Sequence, residues 1–260
     1  MNAIILAAGK GSRLRGVAGD KPKCLARVGA LSLIERQIVT LRESGIDHIS
    51  AVVGFSADTV RRECGPDIEY IENPIFFRTS SLYSLWLARH RLVDGFVVLN
   101  SDVLYHPQLI TDLLTARYED ALLIAYKDET TARFGDEEMK VKVRAGRVVD
   151  ISKAINPDEA DGENVGIVKF GSRGAAILTR QMGMLIAKGT DREWAPRAFR
   201  EFARVRPLHA IGTRGLPWIE IDFPEDYDRA INEILPEIEK AELTFDRPLA
   251  FATTAIGERF

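Results

Sequence analysis

Two glycines stand directly behind an apolar run in Leu6-Ala-Ala-Gly-Lys-Gly-Ser-Arg-Leu14, and Lys21-Pro-Lys23 follows shortly after. Glycine has no Cβ and accepts positive φ, so backbone N–H groups in such a loop can close on an anion. The stretch Leu6, Ala7, Ala8, Gly9, Lys10, Gly11 and Ser12 therefore reads as a cradle for phosphate oxygens. Arg13 and Lys23 add full charges that backbone amides lack. Two familiar phosphate loops are excluded. No Gly-x-x-x-x-Gly-Lys-Ser/Thr is present, and the third glycine of a Gly-x-Gly-x-x-Gly dinucleotide loop would fall at Leu14.

Carboxylates stand at two further places. Phe96-Val-Val-Leu-Asn-Ser-Asp102 is an apolar run ending in Ser101 and an acid, and Trp218-Ile-Glu-Ile-Asp222 sets Glu220 and Asp222 on one face if it is extended. Ligands of open α/β sheets bind beyond the carboxyl ends of the strands, which would bring Asp102 to the crevice of the glycine loop. A hard Mg²⁺ takes one or two carboxylates together with substrate phosphates, so Asp102, Asp222 and Glu220 are its candidate ligands. Cys24, His48, His90, His106 and His209 show neither a nucleophile–base pair nor metal-ligand spacing and read as structural or surface residues.

These groups need a scaffold, and the chain supplies one by alternation. Residues 2–7 read as a strand buried on both faces. Ser32 and Glu35 have capping-box spacing ahead of a helix whose apolar face runs through Ile34, Ile38 and Leu41. Strand 48–54, helix 57–63, strand 68–71, helix 80–92 and strand 96–99 continue the pattern, which builds parallel βαβ units. Between 121 and 170 the pattern changes to strands at 121–126, 139–143, 147–151 and 165–170, with a hairpin turning at Ala145-Gly146. Helices at 173–188 and 193–204, a strand at 218–221 and a helix at 225–241 follow. The expected fold class is α/β: a Rossmann-like three-layer sandwich with a mostly parallel central sheet and a smaller mixed-sheet insertion laid over it. Residues 1–242 form one catalytic domain, with 121–170 as its acceptor-side region. Residues 243–260 form a C-terminal tail whose Phe245, Phe251 and Phe260 call for an apolar partner, either the core or a second copy in a homodimer.

Composition narrows the classes. At 46% hydrophobic and 28% charged, the chain has material for a buried core and is not a disordered or coiled-coil sequence. A net charge of −3 is too near neutral for a surface that grips nucleic acid throughout. The two cysteines make no disulfide framework, and the run from Ala3 to Ala8 is too short to span a membrane, so a cytoplasmic location is expected. The charge is unevenly placed. Residues 1–27 carry six basic side chains against one acid, +5, whereas 220–246 carry ten acids against two basic residues, −8. An anionic ligand at the first and a metal at the second would account for that asymmetry.

At the glycine loop the chain resembles the nucleotidyltransferases that make activated sugars and activated phospho-alcohols, whose first strand and loop read Leu-Ala-Ala-Gly-x-Gly-x-Arg-Leu and then Pro-Lys. The resemblance implies that the loop wraps a nucleoside triphosphate and that Gly9, Gly11, Arg13 and Lys23 take the phosphate-binding and catalytic roles, with Lys10 and Arg15 as helpers. It also implies that Asp102 and Asp222 bind the metal, with Glu220 a second candidate. A triphosphate with roughly four negative charges and an acceptor phosphate with roughly two require such counter-charge.

The stretch Glu72-Asn-Pro-Ile-Phe-Phe-Arg-Thr-Ser-Ser-Leu-Tyr-Ser-Leu-Trp86 looks most like the bacterial cytidylyltransferases acting on phosphocholine and 2-aminoethylphosphonate. Asp136-Glu-Glu-Met-Lys-Val-Lys-Val, Ile151-Ser-Lys153 and Glu163-Asn-Val-Gly-Ile167 resemble that branch as well. Asn73, Thr79, Ser80 and Ser81 then read a base or hold phosphate, or else merely cap a helix. Lys140 and Lys153 hold the acceptor, or are hairpin surface charges. Tyr83, Trp194 and Trp218 with Glu163 are candidates for an amino-alcohol head group, although Tyr83 also has the spacing of a helix core face. The implied reaction is transfer of CMP from CTP to a small phosphorylated or phosphonate acceptor with release of pyrophosphate. A sugar 1-phosphate nucleotidyltransferase and a non-catalytic nucleotide-binding regulator are the alternatives.

Overall fold

The computed structural model describes residues 1–14, 19, 21–127 and 134–244. Arg15 and the tail beyond residue 244 lie outside the described residues. The chain enters through β1 (Asn2–Ala7) and passes by the glycine loop into a 3-10 turn, Ser12–Leu14. A second 3-10 turn, Lys23–Leu25, and a hairpin of β2 (Arg27–Val28) and β3 (Leu31–Ser32) lead to α1 (Leu33–Glu43). Here the expected capping box is present. Ser32 Oγ accepts from the Glu35 N–H at 3.4 Å, and Glu35 Oε2 accepts from the Ser32 N–H at 2.7 Å.

The alternation continues with β4 (His48–Val53), α2 (Ala57–Cys64), β5 (Glu69–Glu72), α3 (Ser81–Leu87) and β6 (Phe96–Asn100). Next come β7 (Val103–Tyr105), α4 (Gln108–Thr115), β8 (Ala121–Tyr126), β9 (Lys140–Arg144), β10 (Arg147–Ser152) and β11 (Gly162–Phe170). Helices α5 (Ser172–Ala187) and α6 (Pro196–Ala203) precede β12 (His209–Gly212) and β13 (Trp218–Glu220). The described residues close with α7 (Pro224–Arg229), a π-helical stretch (Ala230–Ile234) and α8 (Leu235–Thr244). Among the described residues no helix is long and apolar enough to cross a membrane.

Among the described residues nine strands make one sheet in the order β5-β4-β1-β6-β11-β8-β12-β10-β9. The half from β5 to β6 is parallel, and beyond β6 the pairings are antiparallel except for β8 with β12. This corrects one expectation: the strands of 121–170 are not laid over the parallel core but extend its sheet. The cause is β11, which is long enough to pair with β6 at its end, with β9 at its start and with β8 at both. A register shift between Asn164 and Val168 bends β11, and the sheet edge curls back onto it. The hairpin from β9 to β10 turns at Ala145 and Gly146, both at positive φ (50° and 73°), as a tight two-residue turn requires.

Alternation along β1 sorts side chains into two cores. Ala3, Ile5 and Ala7 join Ile34, Ile38 and Leu41 of α1 and Leu109 and Leu113 of α4. Ile4 and Leu6 join Leu82 and Leu85 of α3, Leu178 of α5 and Phe199 of α6 on the opposite face. The result is the expected three-layer sandwich, with each fully buried Leu or Ile contributing about 1.5–3 kcal/mol. A third cluster unites Leu14, Val28, Leu104, Ile219, Ile221 and Leu235, fastening the base of the glycine loop to β13 and the C-terminal helices.

Candidate active site

Two three-residue strands bring distant acids together. β13 pairs antiparallel with β7, placing Glu220 opposite Val103, and the Ile221 N–H donates to the Asp102 carbonyl at 2.9 Å. Asp102 just ahead of β7 and Asp222 just beyond β13 are thereby set side by side. Gln37, buried on α1, donates from Nε2 to the carbonyls of Asn100 (2.9 Å) and Val103 (3.0 Å) and clamps the turn that carries Asp102. On the other side, Asp226 Oδ2 accepts from the N–H groups of Asp222 (3.0 Å) and Phe223 (2.9 Å). One carboxylate oxygen each from Asp102, Glu220 and Asp222 lies within 4.8 Å of the others.

Lys23 reaches this cluster from the glycine-loop side. Its Nζ donates to Asp222 Oδ1 at 2.5 Å and to Asp102 Oδ2 at 3.0 Å, and Arg13 Nη2 donates to Asp222 Oδ2 at 2.9 Å. The Lys23 side chain is 10% exposed, so solvent screens these pairs little. Burial by itself lowers the Lys23 pKa, but Asp102 and Asp222 outweigh it and the ammonium is held above its ordinary value. Burial works against the Asp222 carboxylate as well, yet Lys23 and Arg13 hold its pKa below the ordinary value. Glu220 goes the other way: burial, reinforced by Asp102 and Asp222, pushes it up to about 8. Asp102 Oδ1 is buried with no hydrogen-bond partner among the described residues. An orphaned carboxylate oxygen beside two further acids fits a hard divalent cation, which takes oxygen ligands of this kind.

The site opens into a cleft of about 570 Å³. Leu6, Ala8, Gly9, Gly11, Arg13 and Lys23 line it from the first strand and its loop, with Ser101 and the three acids beside them. A second cavity of about 560 Å³ shares Glu137, Glu220 and Asp222 with the first. Its remaining lining is largely acidic and aromatic, including Glu138, Glu163, Asp226, Tyr126, Phe134, Trp218 and Phe223, with Arg229 as its one basic residue among the described residues.

A family model for the MobA-like NTP transferase domain matches residues 3–206, which contain the whole glycine loop and Asp102. The chain belongs to the MobA-like NTP transferase domain family. It is 32% identical over 231 residues to a Rubrobacter xylanophilus protein named bifunctional IPC transferase and DIPP synthase, covering 87% of this chain and 50% of that one. It therefore spans half the length of that relative. It is 31% identical over 156 residues to a choline-phosphate cytidylyltransferase of Streptococcus pneumoniae, covering 57% of this chain and 67% of the relative. A solved structure of the inositol-1-phosphate CTP transferase from T. maritima superposes with a TM-score of 0.74 at 21% identity, covering 92% of this chain and 96% of that one. That last likeness bears on the fold alone. The resemblance read from the glycine loop is thus met at the level of the family.

Within this NTP transferase domain, the other residues expected at the site divide. Asn73, Thr79, Ser80, Ser81, Lys153 and Trp194 line the first cleft. Several of their polar groups are engaged within the chain. Asn73 Nδ2 donates to Thr79 Oγ1 (3.0 Å) and Ser84 Oγ (3.1 Å), the Ser80 N–H donates to the Asp191 carbonyl (3.0 Å), and Ser81 Oγ accepts from the Ala195 N–H (2.8 Å). The start of α3 is stapled in this way to the segment that carries Trp194. Glu163 and Trp218 line the second cavity instead.

Tyr83 and Lys140 line neither cavity. Lys140 is fully buried, and its Nζ donates to the carbonyls of Gly135 (2.7 Å) and Glu138 (3.4 Å), tying down the loop ahead of β9. Ala7, Lys10 and Ser12 stand beside the cleft without lining it; Lys10 lies over the Phe55 ring at 5.3 Å. Asp222 belongs to the turn ahead of α7 and not to the strand that ends at Glu220, although both reach the same cluster.

Glu137 and Gln37 were not legible as site residues. Glu137 Oε2 accepts from Arg13 Nη1 at 3.3 Å and from Lys153 Nζ at 3.2 Å, and Lys153 Nζ also stands 4.9 Å from the Trp194 ring centre. No spacing rule links residues so far apart in the chain. The acidic run Asp136-Glu-Glu138 was the one available hint.

Proposed function

We propose that this protein is a cytidylyltransferase that transfers CMP from CTP to a small phosphorylated or phosphonate amino-alcohol and releases pyrophosphate, with Mg²⁺ held by Asp102, Asp222 and Glu220. The observation that carries this reading is the meeting of two cavities at one acid cluster. The glycine-loop cleft, with Arg13 and Lys23, suits a triphosphate. The neighbouring cavity suits a cationic head group, because ammonium groups are attracted both to carboxylates and to aromatic faces.

In this scheme the amides of Gly9 and Gly11 position the triphosphate while Arg13 and Lys23 neutralise it. A divalent cation held by Asp102, Asp222 and Glu220 would supply positive charge where negative charge builds on the phosphoryl oxygens. An acceptor oxygen attacks the α-phosphorus in line; the new P–O bond forms as the α–β bridging bond breaks, and pyrophosphate leaves with the electron pair. No enzyme nucleophile is required. Cys24, although it adjoins Lys23, is buried and its thiol pKa is pushed far up by that burial.

The named activity of the S. pneumoniae relative supports the amino-alcohol acceptor. A second reading keeps the reaction and makes the acceptor a polyol or sugar phosphate; the R. xylanophilus relative, aligned over most of this chain, favours it. Pyrophosphate release across four NTPs and a panel of phosphocholine, 2-aminoethylphosphonate, inositol 1-phosphate and sugar 1-phosphates decides between them. Turnover with polyol or sugar phosphates alone would sink the first reading. Thermal stabilisation by CTP with no turnover in any pairing would establish a nucleotide-binding regulator.

A further inference from the structure

We infer that Lys23 is an internal counter-ion that fills the acid cradle of the nucleotide-free protein and must withdraw before a divalent cation binds there. The inference rests on the reading of Asp102, Glu220 and Asp222 as a cation site. Lys23 Nζ contacts Asp102 Oδ2 and Asp222 Oδ1, one oxygen on each of two of the three acids. Arg13 holds the other oxygen of Asp222, so both oxygens of that carboxylate already face a cation. A divalent ion on the same oxygens would compete with the ammonium for their lone pairs and repel it at contact distance.

Lys23 has somewhere else to go. Its Cβ lies against Gly11, so the root of its side chain is set beside the phosphate loop, and its four-carbon stem is flexible. A triphosphate in that loop brings about four negative charges and offers the ammonium a new partner. Nucleotide binding then frees the cradle, and the cation loads more tightly with the nucleotide than without it. By linkage each favours the other.

The inference makes an unusual prediction about loss of Lys23. A lysine that helped to assemble a metal site would, when removed, weaken cation binding. A lysine that blocks the site leaves half-buried carboxylates with one counter-charge fewer when it is removed, and a divalent cation then binds more tightly.

The test is a Mn²⁺ titration without nucleotide, following free Mn²⁺ by electron paramagnetic resonance, on the unmodified protein and on Lys23→Met and Lys23→Gln. Both variants should bind one Mn²⁺ at least about tenfold more tightly than the unmodified protein. Equal or weaker binding overturns the inference. Should neither variant fold, labelling of the unmodified protein with acetic anhydride, read by mass spectrometry, takes its place. Saturating Mn²⁺ should raise the reactivity of Lys23 relative to exposed Lys188, and unchanged reactivity is fatal.

Adding Asp102→Asn to Lys23→Met separates the two readings. Weakened Mn²⁺ binding in the double variant, with Lys23→Met itself no tighter than the unmodified protein, keeps the acid cluster as the cation site and removes the blocking role. Binding in the double variant equal to that of Lys23→Met removes the cluster as the cation site, and the inference with it.

Discussion

The Cα of Gly11 faces the side chain of Lys23 so closely that a Cβ built on the glycine would lie 2.4 Å from Lys23 Cβ. Gly11 also has a φ of 60°, where side chains other than glycine's are strained. Gly11→Ala must therefore displace either the loop or the lysine. We expect strain of about 1–3 kcal/mol, a fall in Tm of several degrees, and a loss of pyrophosphate release of about a hundredfold from the misplaced ammonium. Gly9 differs, because a Cβ there would meet nothing within 4 Å. Gly9→Ala should keep its Tm and lose turnover, since the space is open until a ligand fills it. A fully active Gly9→Ala protein would remove Gly9 from the cradle.

Asp102 offers a buried oxygen that nothing in the described chain satisfies. Asp102→Asn should raise the Mg²⁺ concentration for half-maximal turnover at least about tenfold. Chelation of the metal should abolish turnover while leaving Tm nearly unchanged, because Lys23 and Arg13 together offset the charge of Asp102 and Asp222 without it. An unchanged Mg²⁺ titration of Asp102→Asn places the cation elsewhere.

The glycine loop, Lys23 and the acids were legible because each belongs to a local pattern: glycines behind an apolar run, or a carboxylate at the end of one. The β1 and β6 runs were legible for the same reason, being buried on both faces. The means by which Asp102 meets Asp222 was not. β7 and β13 are three residues long and derive their structure from each other, so neither carries a period that a sequence window can detect. The curl of the mixed strands escaped for a related reason: it depends on a register shift inside β11, which only its partners define. Lys140 illustrates the limit on function. Its type suits a phosphate, yet its direction is set by the fold, and it points at the carbonyls of its own loop.

Glu137 pairs with both Arg13 and Lys153. Its pKa is lowered, chiefly by the Lys153 hydrogen bond and charge and then by Arg13, so it is anionic at neutral pH. Glu137→Gln should release both cations for phosphate substrates. Exposed pairs of this kind contribute about 0.2–1 kcal/mol each, which corresponds to a KM lower by about 1.4- to fivefold for each pair released, with kcat little changed. The gain should shrink at high salt as screening grows. Steady-state kinetics at two ionic strengths check this, and a raised KM would instead make Glu137 a direct contact of the acceptor.

Glu163 should give the fold a pH dependence of its own. It sits on β11 opposite Lys140, and burial pushes it up to about 7, with Glu138 adding to the rise and Lys140 opposing it. The folded state then holds a proton that the unfolded chain, with an ordinary carboxyl near 4.5, has released. Between those two values the native state binds more protons, so unfolding free energy falls as pH rises through the window and is level on either side. Glu163→Gln keeps the shape without the charge. Its Tm should match that of the parent below about pH 4.5, rise above it between there and about pH 7, and hold the full difference at higher pH. That difference corresponds to at most about 3 kcal/mol. Melting curves at pH 4, 5.5, 7 and 8 measure it, and a difference that does not vary with pH would show that Glu163 is ionised at its ordinary value in the folded protein.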